Sequence, residues 1–285
     1  MMKLFSTIQR KFITFTKILL PRYINRLKLR PGISFLIRAK NEEKCIKDCI
    51  MSIIDIADEI VFVDNLSTDS TLFIVEDLAK KYKNIKVYQY KIKIPKCGEE
   101  QANKVIQGSK NTIANYYNWC LRRVTKYNIV KWDADCISNR DNLLEMIKKH
   151  NLHQRDDLFS LWFTGETLFK DNKGKYYINS KSFYDEFRCF SKLNGFHWID
   201  TDKWEAPSTE YVQKSKQEKF ELPCFYEIKD IQANELASSR SKGIPLDGRD
   251  EKDQDIMIQI SSNNIQQTTI KPFAIDNLKR NIIQD

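Results

Sequence analysis

The first 150 residues alternate short apolar runs with segments in which apolar residues recur at helical spacing. The apolar runs, each typical of a buried strand, cover residues 33–37, 59–63, 85–90 and 129–132. The segments with helical spacing follow them, at residues 41–54, 71–82, 113–124 and 143–147. Because parallel strands need crossover connections, this alternation predicts an α/β fold: a mostly parallel sheet with helices on both faces.

The pattern changes after residue 150. Strand-like runs cover residues 158–164, 175–178 and 185–191, and Asp171-Asn172-Lys173-Gly174 forms a turn signal between the first two. We expect a smaller, antiparallel part here. The length of 285 residues suits one domain, which we place at residues 31–285 and divide into halves at residue 150.

Residues 1–30 form a separate basic segment. Between residues 3 and 20, apolar residues recur at helical spacing with lysines and arginines between them, and Pro21 is expected to end the pattern. The sequence predicts a basic amphipathic helix. Two interpretations stay open: the helix lies in a membrane interface, or it docks on the surface of the domain itself.

Composition limits the location and the partners of the chain. The formal charge of +9 favours an anionic partner, such as a phosphate-bearing substrate or a membrane surface. Seven cysteines, an odd number, favour reduced thiols. No stretch approaches the roughly 18 apolar residues of a spanning helix, and no secretory signal is evident. We therefore expect a cytoplasmic protein, either free or peripherally attached to a membrane.

Polar clusters follow three of the predicted strands. They are Lys40-Asn41-Glu42-Glu43, Asp64-Asn65 and Asp133-Ala134-Asp135. Ligands of open α/β sheets bind beyond the carboxyl ends of the strands, so these clusters should converge on one edge. In Asp-x-Asp, one carboxylate can hold a divalent cation while the other binds it through water or meets a ribose hydroxyl. Such a cation neutralises a diphosphate leaving group.

Three segments carry a resemblance to a known family. Residues 33–43, 59–71 and 130–135 resemble the family 2 glycosyltransferases of the GT-A fold, a Rossmann-like α/β fold. The resemblance covers roughly residues 33–150. It implies an inverting transferase with a nucleotide-sugar donor, usually a UDP-sugar, and with Mn²⁺ or Mg²⁺ held by Asp133 and Asp135. The halves of the domain then become a nucleotide-binding half and an acceptor half.

The resemblance also implies the donor site. Its expected members are Arg38, Ala39, Lys40, Asn41, Glu42, Asp64, Asn65, Asp133 and Ala134. Asn65 stands where many family members have aspartate, which puts uracil recognition by this residue in doubt. Leu66 and Ser70 replace frequent glycines, and Cys136 replaces a frequent glutamate. None of these departures removes an expected ligand.

Inversion by direct displacement requires a carboxylate that takes the proton of the acceptor hydroxyl. Residues 187–190, 195–198 and 204–205 resemble, with stretched spacing, the Arg-x-Phe, Gly-aromatic-x-Trp and His-Glu signatures of lipopolysaccharide-core-type members. Glu205 then corresponds to the glutamate of the family, although Trp204 replaces the histidine. Asp200 and Asp202 are alternatives.

Histidine and aromatic residues in the same region have two interpretations each. His197 is either a third metal ligand or a residue that packs or faces the acceptor. The rings of Trp198, Trp204 and Tyr211 either stack on a sugar or belong to the core, and Trp132 is expected to pack beneath the site.

We therefore expect a metal-dependent glycosyltransferase acting on a glycan, a lipid-linked or a protein acceptor. A nucleotidyltransferase would need a Gly-rich phosphate loop after the first strand, where residues 38–42 stand instead. The alternative is a non-enzymatic basic protein that binds nucleic acid or a membrane. It predicts scattered basic and aromatic patches rather than three clusters at strand ends, so we expect no nucleic-acid partner.

Overall fold

A computed structural model describes residues 20–94, 109–171, 173–200, 205–230, 256–260, 262 and 270–274. Its helices are α1 (Leu20–Lys28), α2 (Ile46–Met51), α3 (Thr71–Lys81), α4 (Ile113–Leu121), α5 (Arg140–Lys149) and α6 (Thr209–Lys214). Its strands are β1 (Arg30–Ala39), β2 (Glu59–Asp64), β3 (Ile85–Gln89), β4 (Lys126–Asp133), β5 (Cys136–Ser138), β6 (Phe159–Lys170), β7 (Tyr176–Ser191), β8 (Trp198–Asp200), β9 (Glu205–Pro207), β10 (Lys216–Asp230) and β11 (Ile270–Phe273).

The predicted α/β architecture is confirmed. The strands of the large sheet follow the order β3-β2-β1-β4-β7-β6-β10-β5, and β1 to β4 pair in parallel. Alternate residues of β1 face opposite sides of the sheet. Phe35 and Ile37 join a core cluster with α2, α3 and α5, whereas Leu36 joins a second cluster with α4. Helices therefore cover both faces, which explains why β1 and β2 are buried on both sides of the sheet.

The second half of the sheet is only partly antiparallel. The pairs β4–β7, β6–β7 and β5–β10 are antiparallel as expected, but β6 and β10 run parallel. β10 begins beside the start of β6, with Lys216 opposite Phe159, and the two strands run in the same direction. The predicted turn is confirmed: Asp171 Oδ1 accepts the amide protons of Lys173 and Lys175, both at 2.8 Å, and Gly174 has a φ of 76°.

Helix α1 docks on the body of the domain. Pro21 lies in its first turn, where proline is tolerated because that amide has no helical partner. Asn25 Nδ2 donates to the carbonyls of Lys192 and Leu193, at 3.0 and 3.3 Å. The predicted helix at residues 3–20 lies outside the described residues, except for Leu20. Within the described ranges, no helix is long and apolar enough to cross a membrane.

Candidate active site

The carboxyl ends of β1, β2 and β4 bring the three polar clusters to one edge of the sheet. In the register of the strands, Arg38 lies opposite Asp133, and Ala39 lies opposite Asp64. The clusters begin at or directly after these positions. The structure thus places the expected donor residues of three separate segments side by side.

The loop after β1 is tied to the loop after β2 by side-chain hydrogen bonds. Asn41 Oδ1 accepts the amide proton of Thr68 at 2.7 Å, and the Asn41 amide donates to Ser67 Oγ at 2.9 Å. Glu43 Oε2 accepts the amide proton of Ser70 at 3.0 Å. Asn41 therefore has a structural task in addition to its expected place in the donor site.

Two residues of these loops adopt positive φ angles. Asn41 has a φ of 62° and Leu66 a φ of 58°. Asparagine adopts the left-handed region more readily than most residues, whereas a branched side chain such as leucine is unusual there. Leu66 stands at one of the positions where glycine is frequent in the family, so the loop conformation is consistent with that preference. Beside Asn41, Lys40 is half-buried, and the amide of Glu42 donates to Thr71 Oγ1 at 2.7 Å.

Asn65 is a buried connector rather than an open recognition group. Its Nδ2 donates to the carbonyls of Tyr90 and Ile92 at 2.9 and 2.8 Å, and its Oδ1 accepts the amide proton of Ile94 at 3.3 Å. An aspartate could not donate to two carbonyls. The amide thus explains why asparagine fits this position. Its neighbour Asp64 is also buried and accepts the amide proton of Ser67 at 3.3 and 3.4 Å.

Arg38 supplies a fixed positive charge at the end of β1. Its guanidinium lies 3.3 Å from the centroid of the Tyr117 ring, which is within the range of a cation–π contact. Burial by itself would lower the pKa of Arg38, but Tyr117 and Asp133 outweigh it and raise that pKa. The side chain therefore stays charged beside Asp133.

Asp133 is surrounded by cations. Arg188, a fully buried residue of β7, contacts the Asp133 carboxylate at 2.9 Å. Loss of water around Asp133 would raise its pKa, but the charges of Lys131, Arg188 and Arg38 outweigh this effect and lower the pKa well below its usual range. Asp133 is therefore an ionised acceptor of hydrogen bonds.

Asp135 has the opposite environment. Burial, followed by the charge of Glu227, raises the pKa of Asp135 to about 8, although Lys229 at 3.7 Å opposes this shift. Asp133 and Glu42 raise it further. Ionised Asp135 is thus short of positive charge, and a cation would relieve that shortage. Ala134, between the two aspartates, is buried.

Glu227 of β10 is the carboxylate that sequence reasoning missed. β10 pairs with β5 so that Glu227 lies opposite Cys136, directly after Asp135. The Tyr184 hydroxyl donates to Glu227, and Lys229 contacts its other oxygen at 2.6 Å. Nothing in the sequence around Glu227 indicates this placement, because it depends on the pairing of β10 with β5.

A divalent cation fits this edge only with help from a substrate. The described ranges contain no group of three or more His, Cys, Asp or Glu side chains that could hold a metal ion. His197 is exposed, and its Nδ1 lies 3.2 Å from the carbonyl of Gly195. Mg²⁺ sites in proteins commonly use one or two carboxylates together with substrate phosphates and water. Asp135, crowded by the charge of Glu227, suits that kind of site.

Two of the candidate bases lie directly opposite each other. In the two-stranded sheet of β8 and β9, Asp200 pairs with Glu205, whereas Asp202 lies outside the described residues. Asn118 of α4 holds this ribbon through two hydrogen bonds with the backbone of Trp198, both at 2.8 Å. The adjacent Tyr117 of α4 contacts Arg38. Helix α4 therefore links the ribbon to the donor edge.

The aromatic residues are mostly core residues. Trp198 and Tyr211 are buried and pack around Phe196, so the core interpretation is correct for both. Trp132 is completely buried between Phe35 and Phe225, which confirms its expected place beneath the site. Trp204 lies outside the described residues.

Solved structures with a similar fold include three sugar-nucleotide complexes. TarS from S. aureus with UDP-GlcNAc is 16% identical (TM-score 0.44), over 70% of this chain and 58% of that one. Mannosyltransferase PcManGT from Pyrobaculum calidifontis with GDP-Man and Mn²⁺ is 20% identical (TM-score 0.35), over 55% and 45%. Glucosyl-3-phosphoglycerate synthase from Mycobacterium tuberculosis with Mn²⁺, UDP-Glc and phosphoglyceric acid is 20% identical (TM-score 0.31), over 50% and 43%.

Sequence comparison assigns the family. No curated protein sequence matches the chain. The family model described as "Glycosyl transferase family 2" matches residues 34–201, which is more than half of the chain and includes all three strand-end clusters. The match confirms the resemblance carried by residues 33–43, 59–71 and 130–135. The chain belongs to glycosyl transferase family 2.

Proposed function

We propose that this chain transfers a sugar from a nucleotide-diphosphate donor, a UDP-sugar, to a hydroxyl of a glycan, a lipid-linked or a protein acceptor. The observation that carries the proposal is the contrast between two neighbouring aspartates at the sheet edge. Asp133 contacts Arg188 at 2.9 Å and has a lowered pKa, whereas burial and the charge of Glu227 raise the pKa of Asp135 even though Lys229 lies 3.7 Å away. A nucleoside diphosphate with a divalent cation needs both environments: an acceptor for the hydrogen bonds of its ribose hydroxyls and a negatively charged ligand for the cation.

The donor residues divide the tasks by position. Arg38 and Lys40 at the end of β1 bring positive charge to an anionic donor, and the backbone of the 39–42 loop forms one wall of the site. Asp64 and Asn65 order the neighbouring loop. Ionised Asp133 accepts a hydrogen bond from a ribose hydroxyl, a role that its pairing with Arg188 leaves possible because its side chain is 37% exposed.

Mn²⁺ or Mg²⁺ is the cofactor in this proposal. Asp135 would hold the ion, with Asp133 as a second ligand directly or through water and with Glu227 as a nearby negative charge. When bound, the cation neutralises the diphosphate as it leaves the sugar. His197 stays a prediction as a third ligand, and its side chain is exposed.

The transfer step is an inverting displacement. The acceptor oxygen bonds to the anomeric carbon as the diphosphate leaves with the electrons of the broken bond, and a carboxylate takes the proton of the acceptor hydroxyl. Glu205 is the proposed base, and Asp200 and Asp202 are the alternatives. The pairing of Asp200 with Glu205 puts two of the three within one ribbon beside α4.

Residues 3–20 are proposed to bring the enzyme to an anionic membrane surface, because they are basic and amphipathic in sequence. Since α1 docks on the domain, the informative deletion ends at residue 19 and leaves Asn25 in place. Cosedimentation of both forms with anionic vesicles tests the proposal, and equal binding would contradict it.

The first test of the function is a thermal-unfolding screen of nucleotide sugars with Mn²⁺ and with EDTA. Binding to the folded state alone stabilises it by about 2.7 kcal/mol when the ligand is at 100 times its Kd. We expect a UDP-sugar to raise the unfolding temperature only when the divalent cation is present. Equal stabilisation in EDTA would contradict a metal-bridged diphosphate, and no stabilisation by any nucleotide sugar would contradict the proposed donor.

A further inference from the structure

Arg188 is buried at the point where β4 and β7 separate. The last hydrogen-bonded pair of these strands is Val130 with Cys189. Beyond it, Lys131 and Asp133 continue along β4, and Arg188 and Glu186 continue along β7. Charged side chains therefore bridge the gap that opens between the two strands.

The contacts of Arg188 form a network of ion pairs in which positive and negative side chains alternate. Its Nη2 donates to Asp133 Oδ2 at 2.9 Å and to Glu186 Oε2 at 2.6 Å, and its Nη1 donates to the carbonyl of Lys131 at 3.4 Å. The Lys131 ammonium donates to the second oxygen of Glu186. Arg188 also lies over the ring of Phe225, at 4.2 Å from its centroid. The guanidinium is thus held on several sides.

Arg188 and Asp133 differ in how far their side chains are exposed to solvent. The Arg188 side chain is 1% exposed, whereas the side chain of Asp133 is 37% exposed. A ligand can therefore reach Asp133 but not Arg188. An arginine buried behind an accessible carboxylate fixes that carboxylate from the protein side. Lysine cannot reproduce this, because its single ammonium cannot hold Asp133 and Glu186 as Nη2 does while a second nitrogen in the same plane reaches the Lys131 carbonyl.

We propose that Arg188 is a positioning residue for the donor site: it fixes the Asp133 carboxylate, and Glu186 fixes Arg188. This inference rests on the proposed function, because only that function makes Asp133 a residue of the donor site. It adds two residues from the acceptor half of the chain to the support of the donor site, whose expected donor-binding residues all precede residue 136.

The test measures UDP and GDP binding by calorimetry in the presence of Mn²⁺, on the full chain and on Arg188→Lys and Glu186→Gln. Loss of the residues that orient a ligand group typically weakens binding by roughly 10- to 100-fold. We expect Arg188→Lys to weaken binding of the nucleotide that the unchanged chain prefers by about 10-fold. Glu186→Gln should weaken it less, because Arg188 keeps its contact with Asp133.

The matched control is Arg155→Lys. The Arg155 side chain is 9% exposed, pairs with two carboxylates, Glu218 and Asp157, and lies over an aromatic ring. Its carbonyl accepts a hydrogen bond from Asn128, near the start of β4, so it lies at the opposite end of that strand from Asp133. Arg155→Lys should lower the unfolding temperature without changing nucleotide affinity.

The outcomes separate the two proposals. If the unchanged chain binds neither UDP nor GDP, the proposed function fails, and the role of Arg188 falls with it. If the unchanged chain binds nucleotide and Arg188→Lys binds equally well, Arg188 only stabilises the fold and the inference alone is wrong. Should Arg188→Lys not fold, Glu186→Gln decides, because a normal affinity in that variant contradicts the chain of contacts.

Discussion

Replacing Asp135 with alanine is expected to abolish both sugar transfer and hydrolysis of the nucleotide sugar. The change removes the carboxylate proposed to hold the divalent cation, so the diphosphate loses its neutralising charge in the bound donor and in the transition state alike. Nucleotide release from a UDP-sugar, measured with and without acceptor over a range of Mn²⁺ concentrations, provides the measurement.

The loss of activity should not reflect unfolding. Folding raises the pKa of Asp135 from 3.8 to about 8, so the folded chain holds this proton more tightly than the unfolded chain. Between these values, the metal-free protein loses stability as the pH rises, and Asp135→Ala should lack that contribution. Asp77→Ala is the control, because Asp77 pairs only with Lys80 and Lys81 on the surface of α3. Full, metal-independent activity of Asp135→Ala would refute the diphosphate site.

The second large effect is expected from Glu205→Gln. Glutamine keeps the size of the side chain but cannot accept the proton of the acceptor hydroxyl, so transfer should fall by roughly 10²- to 10⁴-fold. UDP binding should persist, because Asp133 and Asp135 are unchanged. Transfer rates together with calorimetric UDP affinities separate this failure from that of Asp135→Ala.

The control for Glu205 is Glu210→Gln, which removes a surface ion pair with Lys214 at 2.8 Å. Transfer by Glu205→Gln at nearly the unchanged rate would exclude Glu205 as the base. Asp200→Asn and Asp202→Asn then become decisive. Because Asp200 lies opposite Glu205 in the ribbon, a large effect of Asp200→Asn would keep the base in the same place and change only its identity.

The donor edge was predictable because each of its polar clusters lies directly at the end of its own apolar strand in the sequence. Arg38, Asp64 and Asp133 each end an apolar strand, and parallel strands bring their carboxyl ends together whatever the rest of the chain does. The same reasoning could not reveal the task of Asn65, whose amide binds carbonyls 25 and 27 residues further along the chain. The sequence showed that Asn65 replaces the aspartate of many family members, but it did not show why.

The acceptor half was less predictable for a physical reason. β10 contributes Phe220, Cys224 and Phe225 to the core, but charged residues flank this apolar stretch, and its neighbours in the sheet are the distant strands β6 and β5. Glu227 therefore had no local signal. Arg188 was visible as part of an Arg-x-Phe motif, but its contact with Asp133 depends on β7 lying beside β4, which is a property of the tertiary fold.

The most direct measurement is anomalous diffraction from crystals grown with Mn²⁺ and a UDP-sugar. We expect an anomalous peak in contact with the Asp135 carboxylate and with the diphosphate, at the edge formed by β1, β2 and β4. Asp133 should face the nucleoside side of the donor. A Mn²⁺ ion bound elsewhere, or a nucleotide bound away from this edge, would contradict this expectation.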